Sequence, residues 1–148
     1  MDLEKIAIKR IQSASEMALG YYGKHLVVTD SGGNDSAVCR ELVRSSVVPH
    51  ELMHNLTTAD APATIYYIRE RFRLAEEAGI PCKISYPFYK GRRVTMWSLI
   101  PQKMIPPTRL ARYCCEILRE GRGDGRFITE GVRWAESRQG KERRGIYE

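Results

Sequence analysis

The sequence predicts a single α/β domain, with a doubly wound, mostly parallel sheet and helices on both faces. Short apolar runs, typical of buried strands, alternate with longer stretches in which apolar residues recur at helical spacing. Glycine or proline separates most of these stretches. Strands that alternate with helices form βαβ units, whose strands are parallel. The 148 residues suit one domain, with an N-terminal helix within 1–23 packed on it.

The first half of the chain is predicted to contain three helices and two strands. These are helix 3–21, strand 25–30, helix 34–46, strand 50–56 and helix 62–79. Gly23 ends the first helix and Gly79 the third, because glycine readily adopts the left-handed conformation that follows many helices. Asp60 is predicted to be the N-cap of the third helix, with Pro62 in its first turn.

The second half is predicted to contain strand 81–87, helix 108–120, a turn at 121–125 and strand 126–132. Residues 88–107 show no clear pattern, and "MIPPT", 104–108, indicates a loop that ends where the helix begins. Ligands of parallel sheets bind beyond the carboxyl ends of the strands. Segments 30–36, 57–60 and 131–137 all follow predicted strands, so they are expected to line one cleft.

Composition and charge narrow the class of protein. The chain is 43% hydrophobic and 28% charged, as in ordinary globular domains. It has no apolar run of the ~18 residues that a membrane span needs and no apolar signal-peptide core. We therefore expect a cytoplasmic protein with no membrane partner. The net charge is +6, and arginine concentrates in residues 109–144. Arginine suits a phosphate-bearing partner; nucleic acid would fit too, although no helix-turn-helix, zinc-finger or RNP motif is present.

The most informative segment is "SGGNDS", 31–36, which separates a buried strand from a helix. Gly32 and Gly33 have no side chains, so backbone N–H groups can approach an anion, and the helix that follows adds its positive N-terminus. The hydroxyls of Ser31 and Ser36 can donate hydrogen bonds to phosphate, and Asp35 can hold Mg²⁺ or cap the helix. The segment is neither a Walker A loop nor a G-x-G-x-x-G turn.

The same hexapeptide resembles the S-G-G-x-D-S pyrophosphate loop of the adenine nucleotide alpha-hydrolase-like superfamily. Three further segments narrow the resemblance to phosphoadenosine phosphosulfate (PAPS) reductase-like proteins. "PPTRLARYCCEILRE", 106–120, is similar to their segment around two adjacent cysteines, and "GVRWAESR", 131–138, to their G-x-R-x-x-E-S motif. "HNLTTADAPAT", 54–64, is similar to their loop after the second strand.

The resemblance implies a domain that binds an adenine nucleotide, PAPS or ATP, and acts in sulfur metabolism, with a homodimer as one form. The residues that would cradle phosphate or sulfate are Ser31, Gly32, Gly33, Asn34, Asp35 and Ser36. Those near the nucleotide would be Thr57, Thr58 and Asp60. A second anion-binding edge would comprise Gly131 and Arg133, ordered by Glu136 and Ser137, with added charge from Arg143 and Arg144.

The chain departs from the family at several places. Asn34 stands where many of the reductases have lysine, which should weaken the hold on a polyanion. The C-terminal Glu-Cys-Gly segment with the reductases' catalytic cysteine is missing, as is the late C-x-x-C of cluster-bearing relatives. No catalytic residue is therefore assigned, and a partner thiol protein or a further C-terminal segment would have to supply the nucleophile.

The four cysteines, at positions 39, 82, 114 and 115, raise the question of a metal. In cluster-bearing relatives a pair like Cys114–Cys115 binds an iron–sulfur cluster, which usually has four thiolate ligands. Cys39 and Cys82 would have to complete the set, and they do not match the family's positions. We expect packed free thiols and no cluster. The histidines show no zinc spacing and are expected to be structural; they are His25, His50 and His54.

Three functions stay open from the sequence. The first is sulfonucleotide reduction, in which a thiol from elsewhere attacks the sulfonate sulfur of PAPS and gives sulfite. The second is an ATP pyrophosphatase-type activity, in which Mg-ATP adenylylates an acceptor such as nucleic acid for sulfur transfer. The third is non-catalytic nucleotide binding.

Overall fold

The structure, a computed structural model, describes residues 2–118 and 125–131. These residues form an α/β fold around a four-stranded sheet in which all neighbouring strands are parallel. Its strands are β1 (Leu26–Thr29), β2 (His50–Asn55), β3 (Cys82–Ser85) and β6 (Ile128–Thr129). A separate antiparallel hairpin consists of β4 (Phe88–Tyr89) and β5 (Arg92–Arg93).

The described residues contain five helices. They are α1 (Leu3–Tyr22), α2 (Asn34–Ser46), α3 (Pro62–Glu77), α4 (Met96–Lys103) and α5 (Tyr113–Leu118). The first three alternate with β1, β2 and β3, as βαβ units require. None of the helices in residues 2–118 and 125–131 combines the length and the apolar character needed to cross a membrane.

The order of strands in the sheet is β3–β2–β1–β6. The chain moves outward from β1 through β2 to β3 and then returns to the other side of β1. Val28 accordingly pairs with Leu52 on one side and with Thr129 on the other. The direction of strand addition reverses between β1 and β6, and the crevice at such a point is the usual ligand site of an open parallel sheet.

The main core lies on the sheet face from which Leu26, Val28 and Leu52 project. Helices α1, α2 and α3 all contribute side chains to it. The buried cluster comprises Ile11, Leu26, Val28, Val43, Leu52, Ile68 and Phe72. Because side chains alternate along a strand, Val27 and Met53 project from the opposite face, where they are buried as well. A buried, continuously apolar β1 is what a central parallel strand requires.

Most helix boundaries match the sequence prediction. Helix α2 spans the predicted 34–46, and α1 ends at Gly23, which is left-handed with φ +61 and donates its N–H to the carbonyl of Leu19. Gly79, with φ +82, follows the end of α3 and adopts the same conformation. The sheet strands are shorter than predicted by one or more residues at their ends.

The predicted N-cap role of Asp60 is wrong. The N-cap of α3 is Ala61, and it makes no side-chain capping bond. The Asp60 carboxylate instead accepts a hydrogen bond from the Thr57 N–H at 2.9 Å, which closes the preceding loop. Pro62 does lie in the first turn of α3, where its missing N–H costs nothing.

The segment 88–107, which showed no pattern, contains the β4–β5 hairpin and α4. The hairpin turns at Lys90 and Gly91, both with positive φ, as a two-residue turn of type I′ requires. The predicted helix 108–120 begins later, at Tyr113, because residues 108–111 form a turn. In that turn Ala111 N–H donates to Thr108 Oγ1 at 3.0 Å. Residues 119–120 of the predicted helix, 121–124 of the predicted turn and 132 of the predicted strand lie outside the described residues.

Candidate functional site

The glycine turn joins the end of β1 to the start of α2, beside the point where strand order reverses. Gly33 is the N-cap of α2, with extended backbone at φ −89, and no side chain caps the helix. The first N–H groups of a helix have no partner within the helix. They point out of the helix end together with the positive end of its dipole. The turn therefore presents backbone donors suited to an anion.

A buried carboxylate, Asp30, holds the turn from below. Asp30 is only 2% exposed. Its Oδ1 accepts hydrogen bonds from Gly32 N at 2.8 Å and from Ser36 Oγ at 3.1 Å, and its Oδ2 pairs with the Arg40 guanidinium. The Gly32 N–H is thus directed into the protein and is not offered to a ligand. The anion-binding capacity of the turn rests on the N–H groups that follow it.

The two serines also bond within the turn. Ser36 is buried, and its Oγ lies 2.8 Å from the Gly33 carbonyl in addition to its contact with Asp30. Ser31 donates from its Oγ to that of Ser36 at 3.3 Å. Ser31 is exposed and can turn its hydroxyl to a ligand, whereas Ser36 fixes the shape of the turn. Asn34 is exposed at the first position of α2, and Asp35 beside it is half-buried.

Two glycines allow close approach of neighbouring segments to the turn. A Cβ on Gly32, whose φ is +78, would lie 2.9 Å from Thr64 Cγ2 of α3. A Cβ on Gly131, just after β6, would lie 2.8 Å from the backbone oxygen of Asp35. The structure thus brings Gly131 against the start of α2, as the expected single cleft requires. By contrast, a Cβ on Gly33 would approach only Ser31 Oγ, at 3.5 Å.

The loop after β2 lies beside the glycine turn, because Asp30 N–H donates to the carbonyl of Met53 at 2.8 Å. Within this loop Thr58 has φ +64, and its hydroxyl donates to the Thr57 carbonyl at 2.6 Å. The Thr58 Oγ1 also accepts from the N–H of Met96, at 2.7 Å, where α4 begins. The side chains expected near a nucleotide therefore hold the loop in shape and fasten it to α4.

Several predicted site residues fall outside the described residues. They are Arg133, Glu136, Ser137, Arg143 and Arg144. Of the second anion-binding edge, the structure therefore describes Gly131 alone.

The surroundings of Cys39 and Cys114 raise the pKa of each thiol, which makes both of them poor nucleophiles. Burial, with the nearby Asp35 carboxylate, raises the pKa of Cys39, whose Sγ lies 3.3 Å from where a Gly131 Cβ would be. Burial raises the pKa of Cys114 on α5, and a hydrogen bond with Cys115 adds to the shift. Because the thiolate is the reactive form, neither thiol is activated. Within residues 2–118 and 125–131, no three His, Cys, Asp or Glu side chains are grouped to share a metal ion.

Positive charge extends from the turn to the surface of α3. Burial alone would lower the pKa of Arg40, but the hydrogen bonds and charges of Tyr67 and Asp30 outweigh it and raise the pKa. Hydrogen bonds from Arg71 and then Arg40 lower the pKa of Tyr67. Arg71 Nε lies 3.3 Å from the Tyr67 hydroxyl. Two guanidinium groups therefore flank one phenol on the side of the turn that faces α3.

The sequence reasoning missed Asp30, Arg40 and His54 as parts of this site. His54 is 3% exposed, and its Nδ1 lies 2.7 Å from the Asp30 carbonyl oxygen. One feature of the sequence could have identified Asp30, because it directly follows the buried run "LVVT". A carboxylate at such a place needs a cation or N–H donors as partners. The arrangement as a whole can bind an anion, and it supplies no activated thiol of its own among Cys39, Cys82 and Cys114.

The chain matches no protein-family model, and comparisons with curated proteins and with solved structures find no match.

Proposed function

We propose that this chain binds the phosphate or sulfate groups of an adenine nucleotide at residues 31–36, in a doubly wound domain of the adenine nucleotide alpha-hydrolase type. The observation that carries the proposal is the uncapped N-terminus of α2 at the point where strand order reverses. The S-G-G-x-D-S pattern of the turn and its resemblance to PAPS reductase-like proteins support the choice of ligand. The adenine and ribose would extend over the loop 57–60.

The electrostatics of the turn agree with an anionic ligand. The Asp30 carboxylate lies under the turn and by itself would repel an anion, but Arg40 pairs with it. Its two Oδ1 hydrogen bonds fix Gly32 and Ser36, so the turn is already ordered before a ligand arrives. Pre-ordered donors lose less entropy on binding than flexible ones. Asn34 in place of a lysine leaves backbone N–H groups as the main donors.

In the first candidate reaction the ligand is PAPS. A thiolate attacks the sulfonate sulfur, the bond from sulfur to the phosphate oxygen breaks, and adenosine 3′,5′-bisphosphate leaves. A second thiol then attacks the sulfur of the sulfonated thiol, which releases sulfite and leaves a disulfide, so two thiols are oxidised. Cys39, the thiol nearest the turn, has a raised pKa. The attacking thiolate would therefore come from a thiol protein that acts as partner.

The second candidate reaction uses Mg-ATP, and the absence of an activated thiol beside the turn favours it. An acceptor oxygen or sulfur attacks the α-phosphorus of ATP, and pyrophosphate leaves against the α2 N-terminus. Asp35, in the first turn of α2, would hold the Mg²⁺ that neutralises the pyrophosphate. A nucleic-acid acceptor would suit the exposed Arg109 and Arg112 and the arginines outside the described residues.

Calorimetric titration with PAPS, and separately with ATP plus Mg²⁺, tests the proposal. The variant designed to block binding is Gly33→Val, which places a side chain at the N-cap of α2. The variant should still fold, because a Cβ there meets only Ser31 Oγ and the backbone is already extended. The matched control is Gly20→Val on α1, where a Cβ meets nothing within 4 Å. Circular dichroism establishes that both variants are folded.

We expect binding by the wild type and by Gly20→Val, and a loss of at least about tenfold in affinity for Gly33→Val, which corresponds to about 1.4 kcal/mol. Preference for PAPS supports the reductase reaction, and preference for Mg-ATP supports adenylylation. If neither nucleotide binds the wild type at millimolar concentration, or if Gly33→Val binds as tightly as Gly20→Val, the proposal is wrong.

A further inference from the structure

A cavity of about 130 Å³ lies between the carboxyl ends of β2 and β3 and the first turns of α3. Isoleucines, among them Ile68 and Ile84, form its apolar walls, and Tyr86 contributes an aromatic ring. A cavity of about 150 Å³ lined by apolar side chains can hold benzene. The space therefore corresponds to one six-membered ring and is too small for a purine.

A buried acceptor without a partner lies in the cavity wall. His54 lines the cavity and is 3% exposed. Its Nδ1 is 2.7 Å from the Asp30 carbonyl oxygen, and since a carbonyl can only accept, Nδ1 carries the hydrogen. In the neutral ring Nε2 is then an acceptor, and it has no hydrogen-bond partner. Buried polar atoms are almost always paired, so this nitrogen is suited to a ligand's hydroxyl or N–H donor.

Positive charge is concentrated at the cavity. Arg69 of α3 and Arg93 of β5 both line it, both are exposed, and no acidic residue is among its lining residues. The Cζ of Arg93 lies 3.6 Å above the centre of the Tyr86 ring, which holds that guanidinium beside an aromatic face. A ligand in this place would therefore meet apolar walls, one acceptor at Nε2 and two guanidinium groups.

We propose that this cavity binds a small aromatic acid: one planar ring with a hydroxyl donor at one end and a carboxylate at the other. The hydroxyl donates to His54 Nε2, the ring packs between Ile68 and Ile84, and the carboxylate pairs with Arg93 and Arg69. The cavity lining includes none of residues 31–36 or 57–60, so the site is distinct from the proposed nucleotide site, although a Cβ on Gly32 would lie only 3.5 Å from Ile68 Cδ1. His54 also connects the two places, because the Asp30 that accepts from its Nδ1 holds Gly32 of the glycine turn.

Titration of the full chain with 4-hydroxybenzoate, followed by NMR of backbone amides, tests this site. Benzoate lacks the hydroxyl donor and phenol lacks the charge, so each removes one feature at constant ring size. One hydrogen bond contributes roughly tenfold in affinity. We expect 4-hydroxybenzoate to bind about tenfold more tightly than either analogue and to shift the amides of β2, β3 and α3.

Three variants locate the binding. His54→Asn keeps a donor in the place of Nδ1 and removes the acceptor, whereas Arg93→Gln removes one charge on an exposed hairpin. Arg92→Gln is the matched control, since Arg92 precedes Arg93 in β5 and is absent from the cavity lining. We expect about a tenfold loss of affinity for the first two and none for the control.

The proposal is overturned if 4-hydroxybenzoate does not bind, if benzoate binds as tightly, or if Arg92→Gln weakens binding as much as Arg93→Gln. A final arm repeats the titration with Gly33→Val and in the presence of PAPS or ATP. Binding that is unchanged by Gly33→Val supports a site separate from the glycine turn even if no nucleotide binds. Displacement of 4-hydroxybenzoate by a nucleotide would overturn the assignment of a separate site.

Discussion

Replacement of Asp30 by asparagine removes the charge beneath the glycine turn while keeping the shape of the side chain. The Oδ1 atom still accepts from Gly32 N and Ser36 Oγ. The atom that faces the Arg40 guanidinium becomes an amide NH₂, which is a donor opposed to a donor. The variant therefore isolates the ion pair from the two hydrogen bonds.

The magnitude follows from the burial of the two partners. Asp30 is buried, with a side chain 1% exposed, and the Arg40 side chain is 19% exposed. Removal of one partner of a fully buried pair costs about 3–5 kcal/mol. Water reaches Arg40 in part, so we expect the free energy of unfolding to fall by about 2–4 kcal/mol. A change of that size is a large fraction of the ~5–15 kcal/mol that stabilises a typical domain.

Urea unfolding followed by circular dichroism measures the effect as a shift in midpoint at constant slope. Glu41→Gln is the control, because Glu41 pairs with Arg44 on the exposed face of α2, the helix that also carries Arg40. The midpoint of this variant should equal that of the wild type. A double variant, Asp30→Asn with Arg40→Met, should recover part of the loss because no buried charge is left unpaired. If Asp30→Asn unfolds at the same urea concentration as Glu41→Gln, the ion pair does not stabilise the turn.

Three further outcomes are expected. Gly32→Ala, with φ +78 and a clash against α3, should lose about 1–3 kcal/mol of stability in urea, whereas Gly33→Ala should not; equal losses would contradict the assigned geometry. A hydrogen bond from Arg126 lowers the pKa of Glu51 below its ordinary 4.5, so its contribution is present above that pH and is lost as pH falls through the lowered pKa. The stability difference between wild type and Glu51→Gln should therefore shrink in acid, and a constant difference would refute the pairing. Burial raises the pKa of Cys82 to about 11 from 9.0, so iodoacetamide at pH 8 should label it about a hundredfold more slowly in the folded than in the unfolded chain, as mass spectrometry would show.

The βαβ part of the fold could be predicted because its signals are local. A buried apolar run, two glycines and a helical pattern identify β1, the turn and α2 without knowledge of anything else in the chain. The left-handed ends at Gly23 and Gly79 follow from glycine's conformational freedom in the same way. The strand order agrees with the expectation that the segments after β1 and β6 converge, and Gly131 does lie against Asp35.

The rest depends on tertiary contacts or on elements too short to show a period. Each strand of the β4–β5 hairpin has two residues, and α4 contains a proline at position 101 and a capping box closed by Ser98, where glutamate or glutamine is the recognisable residue. Asp60 satisfies the usual preference for an N-cap, yet its carboxylate bonds to Thr57. The burial of Asp30 depends on Arg40, ten residues away on another element, and no local pattern reports such a pair.

The hydrogen bond from Met96 N–H to Thr58 Oγ1 joins segments 38 residues apart in sequence. The Met96 amide can therefore report on the conformation of the loop after β2. That amide is the first of α4 and has no helical acceptor, so its protection from hydrogen exchange depends on whether Thr58 is in place. Opening of the loop would therefore leave the Met96 amide without its acceptor. A ligand that orders the loop after β2 would slow hydrogen exchange at the Met96 amide without contacting α4. The exchange rate of this single amide would then report ligand binding in solution.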